Sequence, residues 1–177
     1  MVTENKDIAK NPESYNLDDP DEALKLLESW GRIQGTVHSF GNAQEDQFIH
    51  TSCAVYDSVD GAKEAFSYKT DDERFLRSEV EKEGGSQFEF RRLDGISIGD
   101  ETRAHKYGYV NSALNPAGTR INMSTISFRA QFVLCSYIWG SIGSGILADE
   151  LEKIASKGYE KVMDELTMVN STTDKST

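Results

Sequence analysis

The chain has 177 residues and a formal net charge of −11, with 30 acidic against 19 basic side chains. This excess of negative charge repels phosphate backbones and anionic membrane surfaces, so we expect no nucleic-acid partner. The sequence contains no apolar run of ~18 residues, and we therefore expect no transmembrane segment. A single domain of this length buries about two thirds of its surface and needs neither a metal nor a disulfide to fold.

The first half of the sequence predicts one helix followed by a β-hairpin. Residues 1–16 are polar and predict a flexible N-terminal segment. A helix then begins at Pro20, which suits a first helical turn, and ends at Gly31. Two strands follow at Arg32–Phe40 and Phe48–Tyr56, with turn residues between them, which is the pattern of an antiparallel hairpin.

The second half predicts a middle helix, further strands and a long final helix. The middle helix spans about Val59–Lys82, although its centre at 69–73 favours helix only weakly. The final helix spans about Gly145–Met168, because apolar residues recur there every three or four positions. The polar residues 170–177 predict a flexible tail. The strands between the two helices are Gln87–Leu93, Thr102–Asn111, Thr119–Ala130 and Phe132–Gly140.

Strands outnumber helices, and the two do not alternate regularly along the chain. This pattern predicts an α+β fold, in which an antiparallel sheet of five to six strands packs against an N-terminal helix, a middle helix and a long C-terminal helix. Residues 17–169 would form the single domain. We expect the apolar block Ile126–Trp139 to pair with the strand at Phe48–Tyr56.

Five short segments, taken in their order along the chain, carry a resemblance to a known group of domains. They are GRIQG at 31–35, IHTSCAVYDSVDGAKEAF at 49–66, IGDE at 98–101, SFR at 127–129 and ADELEKIA at 148–155. This order resembles small bacterial extracytoplasmic domains that are often anchored as lipoproteins. It is similar in layout to PsbP-like folds and to the extracellular sensor domains of receptor kinases. The resemblance covers about residues 17–166 and implies a non-enzymatic module that binds or senses a small molecule or a protein partner.

The sequence departs from that group at two points. Ala130-Gln131-Phe132 occupies the turn where the group has Gly-Asn, and no lipobox cysteine stands near the N-terminus. The resemblance implies an extracytoplasmic location, secreted or anchored, with the leader removed. The polar N-terminus has no apolar stretch of a signal peptide, so a cytoplasmic location stays open from the residues alone.

The two cysteines, Cys53 and Cys135, lie within predicted strands and allow two interpretations. The first is a pair of small buried hydrophobic side chains. The second is one inter-strand disulfide in an oxidising compartment. Such a bridge would close a loop of about 80 residues and stabilise the fold by ~4 kcal/mol.

Aromatic residues and a glycine-rich loop mark the candidate ligand site. The aromatic side chains of the late strands would line an apolar pocket with polar tips if they share a face. The loop at 140–145 is either a plain connector or a place where the backbone approaches an anion. Its spacing fits neither a dinucleotide-binding nor a Walker motif, so we expect no cofactor. The candidate ligand-binding residues are Tyr107, Arg129, Tyr137, Trp139, Gly143, Ser144 and Gly145.

Arg129 has two alternative roles in this sequence. It can capture an anionic ligand in a cleft. Alternatively, it can form a structural ion pair with Asp100 or Glu101, which follow a glycine at the start of a strand. The second role would be worth little in stability if the pair is exposed.

Two further functions stay open as alternatives. A small metal-dependent hydrolase would use Asp100 and Glu101 together with three strand histidines, although no catalytic residue is assigned and exposed strand positions explain the histidines equally. A structural protein would form oligomers, such as a homodimer in which the edge strand Gln87–Leu93 pairs across a two-fold axis. The histidines are His38, His50 and His105.

Overall fold

The computed structural model describes residues 1–15, 17–44, 46–68, 73–112, 118–143 and 148–173. Within these ranges, seven strands form one sheet that packs against five α-helices. The strands are β1 (Val2–Thr3), β2 (Arg32–Gly41), β3 (Gln47–Tyr56), β4 (Gly85–Arg92), β5 (Glu101–Asn111), β6 (Thr119–Ala130) and β7 (Val133–Ile142). The helices are α1 (Asn5–Ile8), α2 (Pro20–Ser29), α3 (Val59–Tyr68), α4 (Glu73–Lys82) and α5 (Ala148–Thr173).

The strands follow the order β1-β2-β3-β7-β6-β5-β4, and every neighbouring pair is antiparallel. The predicted α+β class is confirmed. The predicted pairing of the early strand with the late apolar block is also confirmed, since Ile49 faces Trp139 and Val55 faces Val133 across β3 and β7. The sheet has seven strands instead of five to six, because the N-terminal residues add β1 at its edge.

Strand β4 forms the opposite edge of the sheet, and it is the strand that the homodimer hypothesis uses. Its register with β5 shifts between Ser86 and Glu89, and Gln87 there has a φ of 52°. Such a bulge interrupts the row of hydrogen-bonding groups along an edge and disfavours pairing with another strand.

Helices pack against both faces of the sheet. On one face, here called the α5 face, α5 packs over β6 and β7, and Phe128, Cys135 and Leu151 are fully buried. On the other face, here called the α3 face, α2 and α3 pack over Tyr56 and Leu134. The sheet is therefore the middle of three layers.

The N-terminal segment differs from the flexible segment predicted for 1–16. Its first residues pair with β2, and Ala9 is buried in the cluster that includes α2. The buried Arg32 guanidinium donates hydrogen bonds to Asn5 Oδ1 (2.8 Å) and to Thr3 Oγ1 (3.0 Å). The polar composition of the segment was misleading because its partner, Arg32, lies 27 residues beyond Asn5 in the chain.

The helix ends follow local sequence signals. The predicted first helix is confirmed, because the Asp19 side chain accepts a hydrogen bond from the Asp21 N–H (2.8 Å) and Pro20 occupies the first turn. The predicted middle helix is two helices, α3 and α4, and the weak stretch between them at 69–72 lies outside the described residues. Helix α5 continues to Thr173, so the part of the predicted tail at 170–173 is helical.

Candidate ligand-binding site

The close approach of α5 to the sheet shapes the candidate site. Gly158 of α5 lies directly over Tyr137 of β7, and a Cβ at this glycine would overlap with the tyrosine hydroxyl. The ring of Phe128 stacks beside Tyr137, with 6.0 Å between ring centroids. Burial raises the pKa of the Tyr137 hydroxyl. The helix is thereby held against the two middle strands, and grooves open on the flanking parts of the same face.

The first groove, here called the helix groove, lies between α5 and the strands β3 and β7. Its volume is about 430 Å³, and its lining is almost entirely apolar. The disulfide between Cys53 and Cys135 lies at this place, with Cys135 fully buried and Cys53 half-buried. The disulfide is thus the second of the two interpretations that the sequence allows. The lining residues are Cys53, Val55, Phe132, Val133, Lys161, Val162, Glu165 and Leu166.

The second groove, here called the sheet groove, lies over β4, β5 and β6. It has a volume of about 460 Å³, and charged side chains contribute much of its lining. Across β4 and β5, Arg91 faces Lys106 and Glu89 faces Gly108. The lining residues are Glu89, Phe90, Arg91, Lys106, Tyr107, Gly108, Arg120, Asn122, Met123 and Ser124.

A glycine gives the sheet groove its floor. A Cβ at Gly108 would lie 2.7 Å from a terminal guanidinium nitrogen of Arg120 and 3.0 Å from Asn122 Oδ1, so only a glycine lets both side chains lie there. The guanidinium of Arg120 also donates a hydrogen bond to Glu89 Oε2 (2.8 Å). This contact fixes the cation over the sheet, while the Glu89 side chain itself remains largely exposed.

The aromatic residues predicted to line one pocket lie on opposite faces of the sheet. Tyr107 faces Met123, whereas Tyr137 faces Ile126, three residues further along β6. Successive residues of a strand point to opposite faces. Tyr107 is therefore on the α3 face, and Tyr137 and Trp139 are on the α5 face, which corrects the expectation of a shared aromatic wall.

Tyr107 belongs to a row of rings along β4 and β5. The centroids of Phe88 and Tyr109 lie 5.9 Å and 6.5 Å from that of Tyr107, and the Arg77 guanidinium carbon lies 4.7 Å from the Phe88 centroid. Burial raises the pKa of Tyr107 to about 12. A phenol in these surroundings stays protonated at physiological pH and serves as a packing residue.

Arg129 forms the structural ion pair that was one of its two alternatives. Its Nη1 donates to Asp100 Oδ2 (2.9 Å), its Nε donates to Glu101 Oε2 (3.2 Å), and its side chain is only 5% exposed. The same Asp100 oxygen accepts the Gln131 N–H (2.7 Å). Gln131 has a φ of 52°, so these contacts hold the β6–β7 turn without the Gly-Asn of the related group.

The remaining predicted ligand residues lie towards the far end of the sheet. Trp139 borders a small groove of about 220 Å³ at the β2–β3 hairpin. Gly143 has a φ of 79°, and its N–H donates to the Arg120 carbonyl (2.8 Å). Ser144 and Gly145 lie outside the described residues.

The histidines named for a metal site do not converge. His38 is on the α5 face and stacks on Phe40, while His50 is on the α3 face and hydrogen-bonds Ser39 (2.8 Å). His105 is buried on β5, separated from His50 by β6 and β7. Within the described residues, no group of three metal-ligating side chains lies close enough to hold an ion.

The comparisons with known proteins add little to this geometry. The sequence matches no protein-family model and no curated protein. Among solved structures, the chain is similar to the extracellular domain of PknH from Mycobacterium tuberculosis, with 11% identity and a TM-score of 0.42. The match covers 91% of this chain and 78% of that one. In the part of the chain that the structure describes, no helix is long and apolar enough to cross a membrane.

Proposed function

We propose that this chain is a non-enzymatic ligand-binding domain that works outside the cytoplasm. The observation that carries the proposal is the α5 face, where grooves of about 430 and 460 Å³ are lined by described residues. Small-molecule sites typically occupy roughly 300–1,000 Å³ and combine apolar walls with a few placed polar groups. The two grooves divide these properties between them, one apolar and one charged.

The disulfide supports the proposed location. Cys53 faces Cys135 directly in the register of β3 and β7, so the bond joins neighbouring strands without moving the backbone. Disulfides of this structural kind persist in oxidising compartments and are rare in the cytosol. The same link braces β3 and β7 where they border the helix groove.

Contacts of the two acidic residues favour binding over the alternative of a metal-dependent hydrolase. Asp100 and Glu101, which that alternative uses, both accept hydrogen bonds from the buried Arg129. Asp100 also accepts a backbone N–H of the following turn. A carboxylate occupied in this way holds a turn in place and is poorly available as a metal ligand or as a general base.

A thermal-shift experiment tests the proposed function. The oxidised protein is melted in the presence of three sets of small molecules, namely apolar, uncharged polar and anionic ones. A ligand present at 100 times its Kd stabilises the fold by about 2.7 kcal/mol, which raises the Tm by about 5–10 °C in a domain of this size. If none of the three sets raises the Tm at millimolar concentration, the proposal of a ligand-binding domain fails.

A thiol assay tests the location separately. The protein is isolated from the cells that make it, in the presence of an alkylating reagent that blocks free thiols. We expect Cys53 and Cys135 to remain unlabelled because they are bonded to each other. Two alkylated cysteines would place the protein in a reducing compartment and contradict the proposed location.

A further inference from the structure

Two positive charges face each other across the floor of the sheet groove. Arg91 of β4 and Lys106 of β5 are direct partners in the antiparallel register. Like charges placed opposite each other in neighbouring strands destabilise a sheet. In the described part of the chain, neither side chain forms a salt bridge, so no carboxylate within 4.0 Å compensates this repulsion.

A third cation lies in the same groove. Arg120 is held by Glu89, and its guanidinium extends over Gly108, one row along the strand from the Arg91–Lys106 pair. Rows two residues apart on the same face are separated by roughly 7 Å. A ligand between the two rows would thus meet Arg120 on one side and the paired charges on the other.

We propose that the sheet groove binds a small oxyanion, namely the phosphate or carboxylate group of a soluble ligand. This inference rests on the proposed function and adds the chemical class of the ligand. Guanidinium and ammonium groups form charge-assisted hydrogen bonds with both kinds of oxyanion, and an anion between the two rows would relieve the repulsion of the facing cations. A soluble ligand is favoured over a membrane or a nucleic acid because the net charge of −11 repels large anionic surfaces.

Calorimetric titration with sodium phosphate, sodium citrate and glucose tests the inference at a constant ionic strength near 0.15 M. Arg91→Gln should weaken oxyanion binding about tenfold, because it removes a charge-assisted contact. Arg92→Gln is the matched control: it changes the net charge equally, but Arg92 faces His105 on the α3 face, outside the groove. At this ionic strength its effect should be small, since exposed charges are screened within about 8 Å.

A second variant is expected to change affinity in the opposite direction. Glu89→Gln removes the carboxylate that occupies Arg120. The free guanidinium should then bind phosphate or citrate about threefold more tightly. Because a misfolded variant would lose affinity instead of gaining it, this result does not depend on how the substitutions affect folding.

The outcomes separate the inference from the function on which it rests. Binding of phosphate or citrate, weakened by Arg91→Gln and strengthened by Glu89→Gln, supports the inference. Equal effects of Arg91→Gln and Arg92→Gln would overturn it, because they would indicate attraction to overall charge. If neither anion binds while an apolar molecule raises the Tm, the inference falls and the proposed function stands. If nothing binds, both fall.

Discussion

Breaking the disulfide is the perturbation whose size follows most directly from the structure. Cys53 and Cys135 are 82 positions apart, so the bond closes a long loop of the unfolded chain. The loop-entropy relation then assigns the bond a stabilisation of about 4.5 kcal/mol at 25 °C. In a domain of this size, that free energy corresponds to a fall of about 9–18 °C in Tm.

The assay compares the Tm of the oxidised and the reduced protein. Mass spectrometry under native conditions verifies that reduction has added two hydrogens, which is needed because Cys135 is fully buried. The Cys53→Ala/Cys135→Ala variant serves as control, since its Tm should match that of the reduced protein and should not respond to reductant. An oxidised protein that already contains two free thiols, or a Tm that is unchanged on verified reduction, would refute the reasoning.

Three further predictions concern single contacts. Arg129→Met should lower the free energy of unfolding by about 2 kcal/mol, less than for a fully buried pair, because Asp100 and Glu101 are half-exposed. Gly158→Ala should destabilise by about 1–3 kcal/mol, against the usual helix preference for alanine, because the new Cβ meets Tyr137. Stability should fall as pH rises from 10 towards 12, because burial raises the pKa of Tyr107 to about 12 and the unfolded chain releases that proton near 10.

Each of these has a control within the chain. Denaturant unfolding of Arg129→Met is compared with that of Arg91→Met, whose side chain forms no salt bridge among the described residues; equal losses would contradict the role of the ion pair. Lys157→Ala is the neighbouring control for Gly158→Ala, and a gain of stability in the glycine variant would refute the close approach. Tyr107→Phe should reduce the alkaline slope by up to about 1.4 kcal/mol per pH unit; an unchanged slope would exclude Tyr107 as its source.

Local signals were sufficient for most of the fold. The caps of α2 and the apolar repeat of α5 lie within one or two helical turns, so periodicity and capping identify them. The position of the N-terminal segment was missed because it depends on Arg32, a buried side chain 27 residues beyond Asn5. No pattern inside the segment signals that contact.

The candidate site was harder to predict, because it depends on the register between strands. The sequence shows that Tyr107 and Tyr137 lie on strands, but only the pairing of β5 with β6 and of β6 with β7 shows that they face opposite sides. The same holds for the facing pair of Arg91 and Lys106, which no alternation within a single strand reveals. Arg129 was the exception, since a glycine and two carboxylates at 99–101 had already indicated its ion pair.

Mapping a ligand on the folded protein by NMR tests the central claim most directly. The backbone amides of the 15N-labelled, oxidised protein are followed while sodium citrate is added at constant ionic strength. We predict saturable shifts concentrated at Lys106, Gly108 and Asn122 in the sheet groove, and small shifts at the neighbouring Arg92. Linear shifts spread over the whole surface, or no shifts at millimolar citrate, would contradict the claim that this face of the sheet is an anion-binding site.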